Sequence, residues 1–130
     1  MLHDIGMFLT DSPEIDCHGK EPYIKHGILG RQILEKEGLP KHALVCERHI
    51  GVGLSLRDIV DQQLPLPHRD MLPVTLEEKI ICYADCFYEK NPNRLREEKS
   101  LEKVSKSISK WGEENLARLR ELQTLFNDSI

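Results

Sequence analysis

Thr75-Leu76-Glu77-Glu78-Lys79-Ile80-Ile81-Cys82-Tyr83-Ala84-Asp85-Cys86-Phe87 reads as the opening of an amphipathic helix. Thr75 and Glu78 have the spacing of a capping box, in which each side chain takes up the other's free backbone N–H. Asn91-Pro92-Asn93 closes the pattern, so the helix is expected to run from Leu76 to about Lys90. Asp85 falls in its apolar stretch, where a carboxylate is costly unless it is paired or bound to a metal. The same helical period continues outward in both directions. Downstream, Leu101, Val104, Ile108 and Trp111, then Leu116, Leu119, Leu122 and Phe126, form an amphipathic tail with a break near Gly112. Upstream, Pro40 opens a helix that Gly51 and Gly53 stop, and Pro22 and Gly38 bracket another. Inside that helix Gly27 and Gly30 either meet a close neighbour or weaken it. A first helix places Leu2, Ile5, Phe8 and Leu9 on one face and ends at Thr10-Asp11-Ser12-Pro13. Leu64 to Asp70 reads as an extended loop. No alternating strand pattern is present, and the expected fold class is all-α.

The length of 130 residues is that of one domain. We expect residues 1–95 to carry the motifs and 96–128 to form the helical tail. A formal charge of -4 excludes the clustered basic surface that duplex nucleic acid or an anionic membrane requires. Seven aromatic residues are too few for a base-stacking platform along a nucleic acid. No apolar run approaches the roughly 18 residues of a membrane span, and Asp4 and Asp11 interrupt any leader-like stretch. The expected compartment is the cytoplasm. There Cys17, Cys46, Cys82 and Cys86 are expected to be reduced and mostly buried thiols. A structural zinc on Cys82, Cys86 and Cys17-His18 is the competing reading, although the spacing matches no known ligand set.

Five side chains stand out as metal ligands: His3, Asp4, His26, His49 and Asp85. Imidazole and carboxylate together suit zinc, manganese, iron or nickel better than calcium or magnesium. They fall on four separate helical segments, and facing helices of a bundle can direct such groups into one central cluster.

The run Met1-Leu2-His3-Asp4-Ile5-Gly6 resembles the signature of the HD superfamily of metal-dependent phosphohydrolases. His26-Gly27-Ile28-Leu29-Gly30, Arg48-His49-Ile50-Gly51 and Glu78 to Asp85 resemble the contexts of its later ligands. The likeness is to the two-metal branch that includes bacterial dinucleoside tetraphosphate hydrolases. It implies an HD-type helical bundle binding two divalent transition metal ions, iron, manganese or similar. Asp4 would bridge the ions, while His3, His26, His49 and Asp85 complete their shells. Asp4 and Asp85 are the catalytic carboxylates of that reading. The substrate it implies is a small phosphorylated molecule, a nucleotide-type phosphate ester or anhydride. Lys25, Arg69, Lys79 and Arg94 are the cations expected on phosphate oxygens. Met7 stands where many members carry a lysine. The family pattern also begins with another histidine on a helix before the doublet, so Met1 is expected to correspond to an internal residue of longer members. The open face should then expose Leu2 and Phe8 and favour a homo-oligomer. The competing functions are a non-catalytic helical module for association and a di-iron oxygenase on the same shell.

Overall fold

Gly38 and Pro40 set the hinge on which the first helical layer turns. In the computed structural model, which describes residues 2–88 and 97–126, α1 spans His26–Lys36 and α2 spans Pro40–Arg48. Gly38 takes φ +75°, a left-handed turn that glycine adopts without steric cost. Pro40 then sits in the first turn of α2, where its missing N–H is not needed. Pro22 does not open α1. It precedes a 3-10 turn, Tyr23–Lys25, and the α-helix proper begins at His26.

The N-terminal segment Leu2–Leu9 is helical but wound as a 3-10 helix. Its approach to α1 is the reason for the tight contact: a Cβ on Gly6 would lie 2.3 Å from the His26 carbonyl oxygen and 2.5 Å from the Gly30 nitrogen. Gly27 and Gly30 do face a close neighbour, since Cβ atoms there would meet Cys46 of α2 at 2.7 and 3.2 Å. Three backbones are thus stacked with almost no side chain between them. Leu2 and Phe8 are exposed, as expected, and the buried positions of the segment are Gly6 and Met7. The three-residue period of a 3-10 helix turns a different face to the neighbour than a 3.6 period does.

One expectation is corrected between residues 11 and 18. Asp11–Ser12 (β1) and Cys17–His18 (β2) pair antiparallel, with Asp11 opposite His18 and Ser12 opposite Cys17. Two-residue strands are too short to leave an alternation in the sequence.

After α2, a 3-10 turn at Ile50–Val52 leads to α3, Leu56–Asp61, which Ser55 and Asp58 close with a full capping box. α4 spans Leu76–Asp85 and so ends earlier than the expected Lys90. The capping at Thr75 is also only half of the expected box. Thr75 Oγ1 accepts from the Glu78 N–H at 3.2 Å, but the Glu78 carboxylate accepts from Val74 N–H (2.9 Å) and from Arg48 (2.8 Å). The tail forms α5, Leu101–Ser109, and α6, Glu113–Leu125, parted at Gly112 with φ +140°. Its stripe packs as expected: Val104, Ile108, Leu119 and Leu122 bury themselves with Cys82, Tyr83 and Phe87 of the α4 segment. A second cluster around Leu54, Ile59 and Met71 supports α3 and the following loop. The chain is an all-α helical bundle with one minimal hairpin. Among the described residues no helix is long and apolar enough to cross a membrane.

Candidate metal centre

The five singled-out residues are delivered by four local devices. His3 and Asp4 ride on the 3-10 segment, which Gly6 seats against α1. His26 is the first residue of α1, His49 follows the last residue of α2, and Asp85 ends α4. Their reactive atoms converge. His3 Nε2 lies 3.2 Å from Asp4 Oδ2 and 3.0 Å from Asp85 Oδ1. Asp4 Oδ1 lies 3.3 Å from His49 Nε2 and 3.6 Å from His26 Nε2. The two buried imidazoles face each other at 3.1 Å, Nε2 to Nε2.

The far side of each ring decides what that near contact means. His26 Nδ1 is 2.7 Å from the Tyr23 carbonyl, and His49 Nδ1 is 2.7 Å from the Cys46 carbonyl. A carbonyl oxygen only accepts, so both Nδ1 atoms carry the proton. In the neutral rings both Nε2 atoms then present lone pairs to each other, an arrangement that calls for a cation between them. Carbonyl-anchored Nδ1–H with a directed Nε2 is also how metal-bound histidines are held. The donor set therefore fits a divalent transition metal on chemical grounds. Two overlapping triads have ligand atoms within 4.8 Å of one another: His3, His49 and Asp85; and Asp4, His26 and His49. Burial disfavours the charged form of His3, but hydrogen bonds and charge from Asp4 and Asp85 outweigh it and push its pKa up to about 9.

Of the four expected phosphate cations, the three among the described residues are not gathered with this cluster. Lys25 pairs with Glu21 at 3.2 Å. Arg69 donates through Nη2 to the buried Glu47 carboxylate, which also takes Arg31 Nη1 at 2.7 Å. Lys79 is half-buried on α4, and Arg94 lies outside the described residues. None of Lys25, Arg69 and Lys79 lines the cavity of about 540 Å³ that His26, His49 and Asp85 border. Among the described residues, the cation that does line it is Lys99, with Tyr23, Tyr88 and Trp111. Sequence reading passed over Lys99 because its place depends on the chain folding back after α4. The one available signal was Trp111, the single tryptophan.

The four cysteines are free thiols that form no disulfide. Cys46 donates to the Leu2 carbonyl (3.1 Å), Cys82 to the His49 carbonyl (3.6 Å) and Cys86 to the Cys82 carbonyl (3.3 Å). Burial pushes the Cys46 thiol up to about 11 and the Cys82 thiol well above its ordinary value, which keeps them protonated. Among the described residues no cysteine joins a metal-ligating group, so the zinc reading on Cys82 and Cys86 is not supported.

A helical scaffold that draws three imidazoles and two carboxylates into one cluster, with His26, His49 and Asp85 bordering a cavity, defines a helical domain with a candidate metal centre. The family model described as HD domain matches residues 1–90, and this chain belongs to that family. HD domains are generally hydrolases that bind divalent metals. The chain is similar to an uncharacterized protein of Methanocaldococcus jannaschii, 44% identical over 86 residues, covering 65% of this chain and 43% of that protein. It is also similar to two proteins named tRNA (cytidine(56)-2'-O)-methyltransferase. That of Picrophilus torridus is 36% identical over 86 residues, 65% of this chain and 21% of that protein. That of Thermoplasma volcanium is 28% identical over 122 residues, 93% of this chain and 32% of that protein. The chain thus spans less than half the length of these curated relatives. No solved structure matches it.

Proposed function

We propose that this chain is a metal-dependent phosphohydrolase acting on a small phosphorylated molecule of nucleotide type. The observation that carries the reading is the pair of carbonyl-anchored imidazoles with their Nε2 atoms 3.1 Å apart beside Asp4. An imidazole nitrogen has one lone pair to give, so His49 serves one ion at a time although it belongs to both triads. A carboxylate has two oxygens, and those of Asp4 face different partners, Oδ2 toward His3 and Oδ1 toward His26 and His49. Asp4 is therefore the group suited to link two ions, with His3, His26, His49 and Asp85 as the other ligands. Bound divalent ions supply Lewis acidity, which lowers the pKa of water and withdraws charge from phosphoryl oxygens.

The chain's own contribution is positioning and proton handling. The Tyr23 and Cys46 carbonyls hold both rings before any ligand arrives, so little reorganisation is required at the moment of reaction. Asp85 borders the cavity and accepts from His3, and it is the carboxylate placed to take the proton of an attacking water. The water oxygen bonds to phosphorus as the P–O bond to the leaving group breaks.

The test is metal content by elemental analysis after loading with Mn(II) or anaerobic iron and exhaustive dialysis, together with phosphate release from a panel of phosphorylated small molecules. Retained metal and phosphate release, both lost in Asp4→Ala, are expected. Full metal content in Asp4→Ala would refute the role given to that residue. A second reading, a non-catalytic module, is favoured by the comparisons, because the matched segment is a minority of proteins named for tRNA methylation. Metal binding without turnover of any phosphorylated compound would select it.

A further inference from the structure

Cys46 and Cys82 each stand three residues before a candidate ligand, His49 and Asp85, about one helical turn away. Both are fully buried, and neither joins the two ligand triads. Their polar contacts are with backbone. Cys46 Sγ donates to the Leu2 carbonyl at 3.1 Å, and the Cys46 carbonyl accepts from His49 Nδ1 at 2.7 Å. The His49 carbonyl accepts in turn from Cys82 Sγ at 3.6 Å, and the Cys82 carbonyl from Cys86 Sγ at 3.3 Å. These bonds make one continuous run, Leu2–Cys46–His49–Cys82–Cys86, through the 3-10 segment, α2 and α4. We propose that Cys46 and Cys82 are positioning residues of the metal centre, whose thiols fix the backbones that present His3-Asp4 and His49. This role depends on the ligand cluster and is independent of the reaction the centre carries out.

The acceptors explain why donors are needed at these places. Cys46 and His49 belong to the last turn of α2, whose final carbonyls have no partner within the helix. A buried carbonyl left without a donor is costly. The Leu2 carbonyl shares its peptide plane with the His3 nitrogen, so the bond from Cys46 sets the orientation in which the His-Asp doublet begins. Space favours a small donor here. A Cβ on Gly30 would lie 3.2 Å from both Cβ and Sγ of Cys46, so α1 and α2 leave little room around the thiol. Burial pushes the Cys46 thiol up to about 11 and the Cys82 thiol well above its ordinary value, so each keeps the proton it donates. A thiol is a weak donor, and the loss of one such bond is a small change to the fold. The centre is more demanding, because ligand distances tolerate only about 0.2 Å of error.

His26 supplies an internal comparison, since its ring is held through Nδ1 by the Tyr23 carbonyl and not through a cysteine. The experiment compares Cys46→Ala, Cys46→Ser, Cys82→Ala and Cys82→Ser in the full chain by two readouts. One is Mn(II) affinity; the other is long-range proton–nitrogen NMR of the histidine rings in the metal-free chain. Each alanine variant is expected to bind Mn(II) about tenfold more weakly, the low end of the loss when a group behind a ligand is removed. Each serine variant restores a donor and is expected to stay within about threefold of wild type. Packing alone gives serine no advantage over alanine, since a buried hydroxyl is costlier than a methyl. In the metal-free chain, Cys46→Ala should move the His3 signals, and Cys82→Ala the His49 signals, more than those of His26. Cys17→Ala, whose thiol faces the Ile15 carbonyl at 3.8 Å within the hairpin, should change neither readout.

Serine variants that lose at least as much Mn(II) affinity as the alanine variants, or alanine variants that lose none, overturn the role given to the thiols. Where an alanine variant does not fold, the matching serine variant decides alone, and a tenfold loss in it overturns that role. A wild-type chain that binds no Mn(II) refutes the ligand reading, and the metal-free spectra then decide. His3 and His49 signals unmoved by Cys46→Ala and Cys82→Ala would show that the thiols position neither group.

Discussion

Gly6→Ala isolates how the His-Asp doublet is held in place. The added methyl would sit 2.3 Å from the His26 carbonyl oxygen and 2.5 Å from the Gly30 nitrogen, where ordinary contact begins at 3.4 Å. Both obstacles are backbone atoms, so no side-chain rotation relieves the clash. The 3-10 segment must therefore retreat by about 1 Å, a displacement comparable to those that misalign reacting groups. Overpacking of this kind costs roughly 1–3 kcal/mol, offset in part by the better helix propensity of alanine, about 1 kcal/mol. We expect a net loss of about 1–2 kcal/mol in urea unfolding of the metal-free chain. The effect on the cluster should be larger than the effect on the fold. Asp4 Oδ1 is 3.3 Å from His49 Nε2, and metal–ligand distances tolerate only about 0.2 Å of error. Mn(II) affinity is therefore expected to fall by at least about tenfold. Gly38→Ala is the control: it also strains the backbone, at φ +75°, but its Cβ meets nothing within 4 Å and it lies away from the ligands. A Gly6→Ala chain with wild-type Mn(II) affinity would refute the claim that this contact positions His3 and Asp4.

Three further outcomes follow from the same packing. Glu47→Gln should destabilise the chain by about 2 kcal/mol in urea unfolding, since a buried carboxylate between Arg31 and Arg69 is lost while both guanidinium groups keep partial access to water. Arg118→Met should cost about 2–3 kcal/mol at neutral pH, because Asp58, bonded to Arg118 at 2.6 Å, would be left without that partner. Asp58 is penalised by burial, but bonds from Ser55 and Arg118 outweigh this and hold its pKa below 3.8. Its stabilisation is thus complete above the unfolded value and is lost as pH falls through the folded one, so thermal scans should show the gap between Arg118→Met and wild type closing below pH 3.8. Gly51→Ala, at φ +58° and with the indole 3.2 Å from the new Cβ, should shift Trp111 emission and cost about 1 kcal/mol in unfolding. An unchanged spectrum would show that the indole does not rest on that turn.

Much of this molecule is legible in the order of its residues. The helical period placed α2, α4, α5 and α6, and Gly38, Pro40 and Gly112 marked real boundaries, because these are local effects of backbone sterics and of burying one face. The choice of His3, Asp4, His26, His49 and Asp85 was also a reading of the chain alone, and the fold brings all five together. Other features arise from contacts between segments remote in sequence. The 3-10 winding of Leu2–Leu9 answers to a backbone that lies against it at Gly6. Arg69 is engaged by Glu47, from a different element, so its charge said nothing about where it would point. Lys99 reaches the cavity only because the chain returns past Phe87 after α4. Residue type and period determine which groups a chain offers and on which helical faces. Which of those groups share a pocket, and which cations are already held by a carboxylate, is decided by long-range packing, which has no period along the sequence.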